Sequence, residues 1–392
     1  MREIFIKGGA ALEIAVTEDG LLMEYLKDDQ VNHDAETIYL GKVERIMPGM
    51  DAAFVNIGQK RNGFLPLKEK SQTFQQGTLQ CGDRVLVQVK REAHEQKGAF
   101  LSRDITLCGE YVILMPCNHY VGVSAKIEGE RRTQLKQLGA SLMEDRFGLV
   151  MRTSATEASE RAIAEEVEEL WERWQNLKQH AATAPAPSVI YEEASLLDAV
   201  LRDYAPRGID RILTDDETVH QHLQNRFTVE MAPSDMMERH GLLRERNKAL
   251  ERTVQLPCGG NLVIDQCEAL TVIDVNSARS VGTKMAEDNV RKINMEACEE
   301  AARQMRLRNL GGIIIIDLID MHEESSKKQV EEALKQVCLQ DRVKVVVHGL
   351  TSLGLMELTR KRQRRCLRDE WAETCTSCHG SGRRRIEEEN HG

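Results

Sequence analysis

Two apolar runs that each close on an aspartate constrain this chain more than any other feature. They are Leu270-Thr-Val-Ile-Asp274-Val-Asn276 and Ile313-Ile-Ile-Ile-Asp317-Leu-Ile-Asp320. Consecutive β-branched residues suit a pleated strand, and the isoleucine run shows no polar period, so it predicts a strand buried on both faces. A carboxylate at the end of such a strand is costly without a counter-ion or a metal. Two of them on neighbouring strands would form a divalent-cation site, and oxygen-only ligation favours magnesium. Asn276, two residues beyond Asp274, projects from the same face and can orient a ligand there. Asp320 is placed to cap or pair locally.

Composition narrows the class. A chain of 392 residues with 41% hydrophobic and 30% charged residues can bury a sizeable core, and its length suggests about two to four domains. No window reaches the apolar length of a signal peptide or a membrane span, so a soluble, cytoplasmic protein is expected. The ten cysteines are mostly scattered, which fits a reducing compartment rather than a disulfide framework. A net charge of -10 argues at first against nucleic acid. Two basic clusters oppose that: Arg303, Arg306 and Arg308, and the run from Arg360 to Arg368. The alternative reading of both is a solvated helix face.

Along the chain, residues 1–35 alternate as a small antiparallel meander. Strand candidates then follow at Tyr39–Ile46, Ala52–Ile57, Gly63–Leu67, Arg84–Lys90 and Ala99–Ile105. That density suggests a small barrel of the oligonucleotide-binding (OB) type, whose strand face often takes single-stranded nucleic acid. Phe54 and Phe64 fall on the polar side of their strands, with Arg91 and Lys97 nearby. They either stack on bases above a basic rim or close one end of the barrel core. Farther on, Gly148–Met151 is a strand ending in Arg152-Thr153-Ser154, donors suited to phosphate. Glu157–Lys178 has helical spacing, and Ala181–Pro187 reads as a linker with a boundary near 185. Residues 191–250 look mainly helical. Strands at 261–265, 270–275, 312–317 and 343–348 alternate with helices at about 285–308 and 325–339, an α/β pattern whose carboxyl-end loops are the usual ligand sites.

Cys375-Thr-Ser-Cys378-His379 has zinc-knuckle spacing, but a structural zinc needs four ligands. Either His379 and a distant residue complete the set, or two chains contribute a cysteine pair each and zinc clamps a homodimer. A redox CxxC lacks its helix N-terminus here.

Gly41-Lys-Val-Glu-Arg-Ile with Ala52-Ala-Phe-Val, Asp274-Val-Asn-Ser-Ala-Arg279, Arg306-Leu-Arg-Asn-Leu-Gly-Gly312, Ile316-Asp-Leu-Ile-Asp-Met321 and Cys375-Thr-Ser-Cys378 together resemble the ribonuclease E/G family. The resemblance implies an α+β multidomain fold. It would comprise a ribonuclease-H-like subdomain (1–35 and 191–250) interrupted by an OB-fold RNA-binding domain (36–106) and a 5′-sensor (107–190). A DNase I-like catalytic subdomain (251–371) and a zinc link with tail (372–392) would follow. It further implies a Mg²⁺-dependent endoribonuclease for single-stranded RNA, favouring 5′-monophosphorylated ends and acting in rRNA processing and mRNA decay. Asp274 and Asp317 take the family's magnesium positions and Asn276 its catalytic asparagine. Arg152, Thr153 and Ile113 take its 5′-phosphate pocket, and Phe54, Phe64 and Lys97 its RNA-contacting surface, which favours the stacking reading. Ala125 stands where a better-known branch has arginine, with Lys126 as the substitute. Family members usually continue past the zinc link into a small domain that helps dimers associate, so a zinc-linked homodimer is expected rather than a tetramer. The rival readings are a non-catalytic RNA-binding scaffold and a DNA-acting nuclease.

Overall fold

The structure, a computed structural model, describes residues 1–28, 35–67, 79–93, 97–143, 146–192, 195–277, 287–362, 364–378, 380 and 382. His379 and Arg279 lie outside the described residues. Among those described the chain forms four sheets.

The first sheet is assembled from two distant stretches of sequence. Strands β1 (Arg2–Lys7), β2 (Leu12–Glu18) and β3 (Leu21–Asp28) make the expected meander. Much farther along, β14 (Arg211–Thr214) lies parallel to β1 and β15 (Val229–Met231) parallel to β14. Strand alternation sends Ile4 and Ile6 to one face, against Leu197, Val200 and Tyr204 of helix α3 (Leu196–Tyr204). Phe5 and Ala15 go to the other, against Leu307 and Leu367. Both faces are therefore covered. Three short helices, α4 (Glu217–Leu223), α5 (Met236–Arg239) and α6 (Leu242–Lys248), complete this region.

Between the two halves of that sheet lies a closed barrel of β4 (Ile38–Met47), β5 (Ala52–Asn56), β6 (Gly63–Pro66), β7 (Arg84–Arg91) and β8 (Phe100–Ser102). Closure comes from β4, which pairs with both β5 and β7. A second inserted sheet holds β9 (Leu107–Cys108), β10 (Val112–Met115), β11 (Val121–Val123) and β12 (Gly148–Met151), with α1 (Gly129–Met143) and α2 (Glu160–Thr183) packed on it. The Ser159 hydroxyl caps α2 by accepting from the Ala162 N–H, and Ile163, Val167, Leu170 and Trp174 form its buried stripe. The expected linker at 181–187 is shorter than its composition suggests. Alanines carry α2 on to Thr183, and then β13 (Ser188–Tyr191) pairs antiparallel with β4. The two prolines end a helix here, but the chain returns to the barrel before it leaves for α3.

The carboxy-terminal sheet runs β16 (Thr253–Gln255), β17 (Asn261–Gln266), β18 (Leu270–Asn276), β19 (Gly312–Asp317), β21 (Leu355–Arg360), β20 (Val345–Leu350). Of these pairings β18–β19 is parallel and the others are antiparallel. Helices α7 (Glu287–Leu307) and α8 (Glu324–Cys338) pack on one face only. The isoleucine strand is consequently not buried on both faces. Ile314 and Ile316 are fully buried, whereas Ile313 is 49% exposed. Strand β21 and the short helix α9 (Leu367–Trp371) were hidden in the sequence by the basic residues of the 360–368 run.

Those two clusters are only in part a solvated surface: Arg362, Arg365 and Arg368 are exposed, but Arg306, Arg308 and Arg360 are not. Arg306 and Arg360 are almost fully buried, and their carboxylate partners come from far away in sequence. Arg306 bonds Glu18 and the Tyr204 hydroxyl, and Tyr204 in turn donates to Glu24. Arg342 links Glu24 to Asp203, and Arg360 takes Asp341 at 2.7 Å, with Leu310 O and Asn309 Oδ1 on its other nitrogen. The network ties the first sheet to α3, α7 and β21.

Burial alone would raise the Glu18 carboxyl, but the hydrogen bond and charge of Arg306, with help from Arg2, leave it below its ordinary value of 4.5. A carboxyl depressed in the folded state stabilises the fold above that ordinary value, and the contribution is lost as pH falls through the lower folded value. Glu18→Gln should therefore flatten the acid limb of a urea-midpoint-versus-pH curve; an unchanged limb would remove Glu18 from the network's energetics. Asp341→Ala, which strands a buried guanidinium, should cost about 3 kcal/mol at neutral pH, read as a fall in the urea midpoint.

Candidate active site

Parallel pairing sets Asp274 directly beside Asp317 at the carboxyl ends of β18 and β19. Residues in register on neighbouring strands share a face, and the strands lie about 4.8 Å apart. That face is the one without helices: Ile273 and Val275 point into the core, so Asp274 and Asn276 point out of it. Asn276 Nδ2 donates to Asp274 Oδ2 at 2.8 Å. This fixes one carboxylate oxygen and leaves the other free to ligate. The donor set is two carboxylates and an amide, open to solvent. It fits Mg²⁺, which usually takes one or two protein carboxylates and completes its shell with water and phosphate oxygens. Among the described residues no group of three or more His, Cys, Asp or Glu side chains gathers into a metal cage.

The barrel presents its aromatics outward. Val55, Ile57 and Leu65 fill its core, while Phe54 and Phe64, paired in register on β5 and β6, lie on the other side at 6.0 Å between ring centroids. Phe100 on β8 extends the row, 5.9 Å from Phe64, and the Arg91 guanidinium sits 4.3 Å above its ring. Sequence pattern missed Phe100, because β8 is too short to show an alternation. Lys97 is exposed near the end of the same row. A crease lined by Lys90, Arg91, Phe100, Ile313, Lys361 and Arg362 joins this surface to the open face of the carboxy-terminal sheet.

Ile113, Arg152 and Thr153 do come together, in a cleft of about 830 Å³ between β10–β12 and the α8–β20 region. The Arg152 guanidinium donates to the Gly109 carbonyl and pairs with Asp203 at 2.6 Å, and Thr153 Oγ1 is 3.0 Å from Ser124 Oγ. Lys126 is not a free substitute for an arginine: its ammonium is tied to the Leu339 and Asp341 carbonyls, and burial lowers its pKa. The cleft's other cations, Arg202, Arg207, Lys335, Arg342 and Lys344, come from segments that no local motif connects.

Residues 32–104 match the S1 RNA binding domain, and residues 106–363 match the Ribonuclease E/G family. The chain belongs to the ribonuclease E/G family. Ribonuclease G of Escherichia coli (strain K12) is 35% identical over 398 residues, which is 94% of this chain and 81% of that protein. Ribonuclease E of Haemophilus influenzae is 34% identical over 416 residues, 99% of this chain but 44% of the relative. Ribonuclease E of a Nostoc species is 36% identical over 404 residues, covering 94% of this chain and 58% of the relative. This ribonuclease E/G chain thus spans less than half of the Haemophilus protein. The closed barrel coincides with the S1 RNA binding domain match, and the aromatic row lies on its surface. No helix among its described residues is long and apolar enough to cross a membrane.

Cys375 and Cys378 sit together on a turn. Backbone amides of Cys378 and Ser377 lower the pKa of the exposed Cys375 thiol, an environment that favours the metal-binding thiolate. Burial raises Cys258, and raises Cys298 and Cys338 to about 12. In reduced, chelator-treated protein at pH 7.5, Cys375 should be alkylated before these three by mass-spectrometric mapping; earlier labelling of Cys258 would count against a thiolate-stabilising turn.

Proposed function

We propose that this ribonuclease E/G chain is a Mg²⁺-dependent endoribonuclease that cuts single-stranded RNA, with preference for a 5′-monophosphate, in rRNA processing and mRNA decay. The supporting observation is the in-register pair Asp274–Asp317, side by side on the uncovered face of the sheet and braced by Asn276. A bound Mg²⁺ would polarise the scissile phosphate and acidify a water. Asp274 and Asp317 would hold the ion, and Asn276 keeps the Asp274 carboxylate from rotating. Water adds to phosphorus as the bond to the 3′ oxygen breaks, leaving a 5′-phosphate and a 3′-hydroxyl. No protein nucleophile is required.

Substrate positioning follows from the surfaces around the site. Phe54, Phe64 and Phe100 offer stacking planes to unpaired bases, which a duplex keeps occupied, and Arg91 and Lys97 offset backbone phosphates. The crease carries the strand from that row onto the sheet. Arg152 and Thr153 receive a 5′-phosphate beside Ile113. For this, Asp203 must release part of the Arg152 guanidinium, so the phosphate replaces one anion by another. Cys375 and Cys378 of two chains supply four thiolates to one structural zinc, making a homodimer.

Single-stranded RNA and DNA oligonucleotides, with and without a 5′-monophosphate, incubated in Mg²⁺ or EDTA, test this reading. Cleavage should be confined to RNA in Mg²⁺. Asp274→Asn and Asp317→Asn should lose it by several orders of magnitude while binding persists; activity retained in both variants would sink the assignment. Arg152→Ala should slow 5′-monophosphate RNA about tenfold and leave 5′-hydroxyl RNA nearly unchanged, and equal losses would remove the sensor role. Chelation of zinc should halve the solution mass.

A further inference from the structure

A second cavity, separate from the carboxylate pair and the sensor cleft, has a volume of about 580 Å³ and is lined by Leu250, Arg252, Asp265, Gln266, Arg308 and Arg368 among others. Arg308 decides its character. It is only 7% exposed, its Nε is bonded to Gln304 Oε1 at 2.6 Å, and its Nη2 has no hydrogen-bond partner among the described residues. Glu300 of α7, whose charge also acts on Arg308, is committed to Arg303 and Gln304. Glu251 contributes only a longer-range field. Arg252 and Asp265 neutralise each other through two contacts of 2.6 Å. A buried guanidinium keeps its charge, and one with an unused donor is costly to bury. Arg308 therefore brings to the cavity wall a buried guanidinium whose Nη2, itself shielded from solvent, has no partner among the described residues, and the exposed Arg368 adds a second cation, a setting that an anion completes.

The cavity's position selects the anion. Gln266 lines it, and Ala269 lines the crease that leads from the barrel aromatics, so the two flank the same β17–β18 turn. On the other side Arg252 feels the charge of Asp274 in addition to that of Asp265. The cavity thus borders the proposed path of the strand.

We infer that this cavity is a phosphate-binding site that seats a backbone phosphate of the bound single-stranded RNA through Arg308 and Arg368. The inference rests on the proposed binding of RNA but not on the identity of the catalytic residues. It is tested on the full chain in EDTA, with a fluorescent 5′-hydroxyl single-stranded RNA that engages neither cleavage nor the sensor. Binding is followed by anisotropy over a range of KCl concentrations. Arg308→Met should weaken binding about tenfold at low salt and reduce the slope of log K against log salt by about 0.7, the loss of one phosphate contact. Arg368→Gln should act in the same direction. The thermal midpoint of Arg308→Met should match or exceed that of the wild type, because an unpaired buried charge has been removed.

A midpoint several degrees lower would make Arg308 a structural residue and overturn the site. Unchanged affinity and slope in both variants would overturn it as well, and alone, provided that the wild type binds RNA. A wild type that binds no RNA overturns this inference and the proposed function together. Inorganic phosphate is the control ligand. If millimolar phosphate raises the wild-type midpoint but not that of Arg308→Met while the RNA slopes coincide, the cavity takes free anions and the RNA assignment fails.

Discussion

The buried arginine–carboxylate network is the constraint on which the rest of the structure depends. Arg306 leaves α7 to reach Glu18 and Tyr204 of the first sheet and α3, and Arg342 reaches Glu24 and Asp203. Apolar packing alone would tolerate some sliding between the carboxy-terminal sheet and the first one. Hydrogen-bonded ion pairs shielded from water do not, since removing any partner leaves a charge whose desolvation is uncompensated. The network also reaches the sensor cleft, where Asp203 is shared between Arg342 and Arg152. The first sheet, the cleft beside Arg152 and the carboxy-terminal region are thereby held together by polar contacts, some between residues more than 280 positions apart.

That separation explains what could and could not be read from the sequence. Asp274, Asn276 and Asp317 were legible because each signal is local: a β-branched run, a terminal carboxylate and a two-residue spacing. The outward orientation of Phe54 was legible from the alternation with Val55 and Ile57. Arg306 and Arg360 were not, because a cluster of like charges reads as exposed unless its partners are known, and no motif links Arg306 to Glu18 or Arg360 to Asp341. The isoleucine strand misled for a related reason. Four isoleucines can be drawn into a strand with one covered face and one open face whenever the open face serves a ligand, and the periodicity carries no trace of which face that is.

Strand β21 shows a further limit. Its residues Leu355–Arg360 alternate correctly, with Met356 and Leu358 buried, yet the basic run that follows obscured where the strand ends. Its antiparallel place between β19 and β20 leaves β18–β19 as the parallel pair. Parallel register is what sets the two aspartates level. An antiparallel pairing of the same two strands would have sent their carboxyl ends to opposite edges of the sheet.

The packing of α7 and α8 on one side of that sheet has a consequence for the proposed catalysis. Among the described residues no helix covers Asp274 and Asp317, and Asp317 is exposed, so water reaches the pair and mutes its charges. A strand laid across that face, on the proposed reading, displaces this water, and the fields of carboxylate, cation and phosphate then act at greater strength. On the proposed reading, the substrate switches on the electrostatics that cut it, and a molecule too short or too stiff to cover the face meets a well-formed but solvent-quenched site.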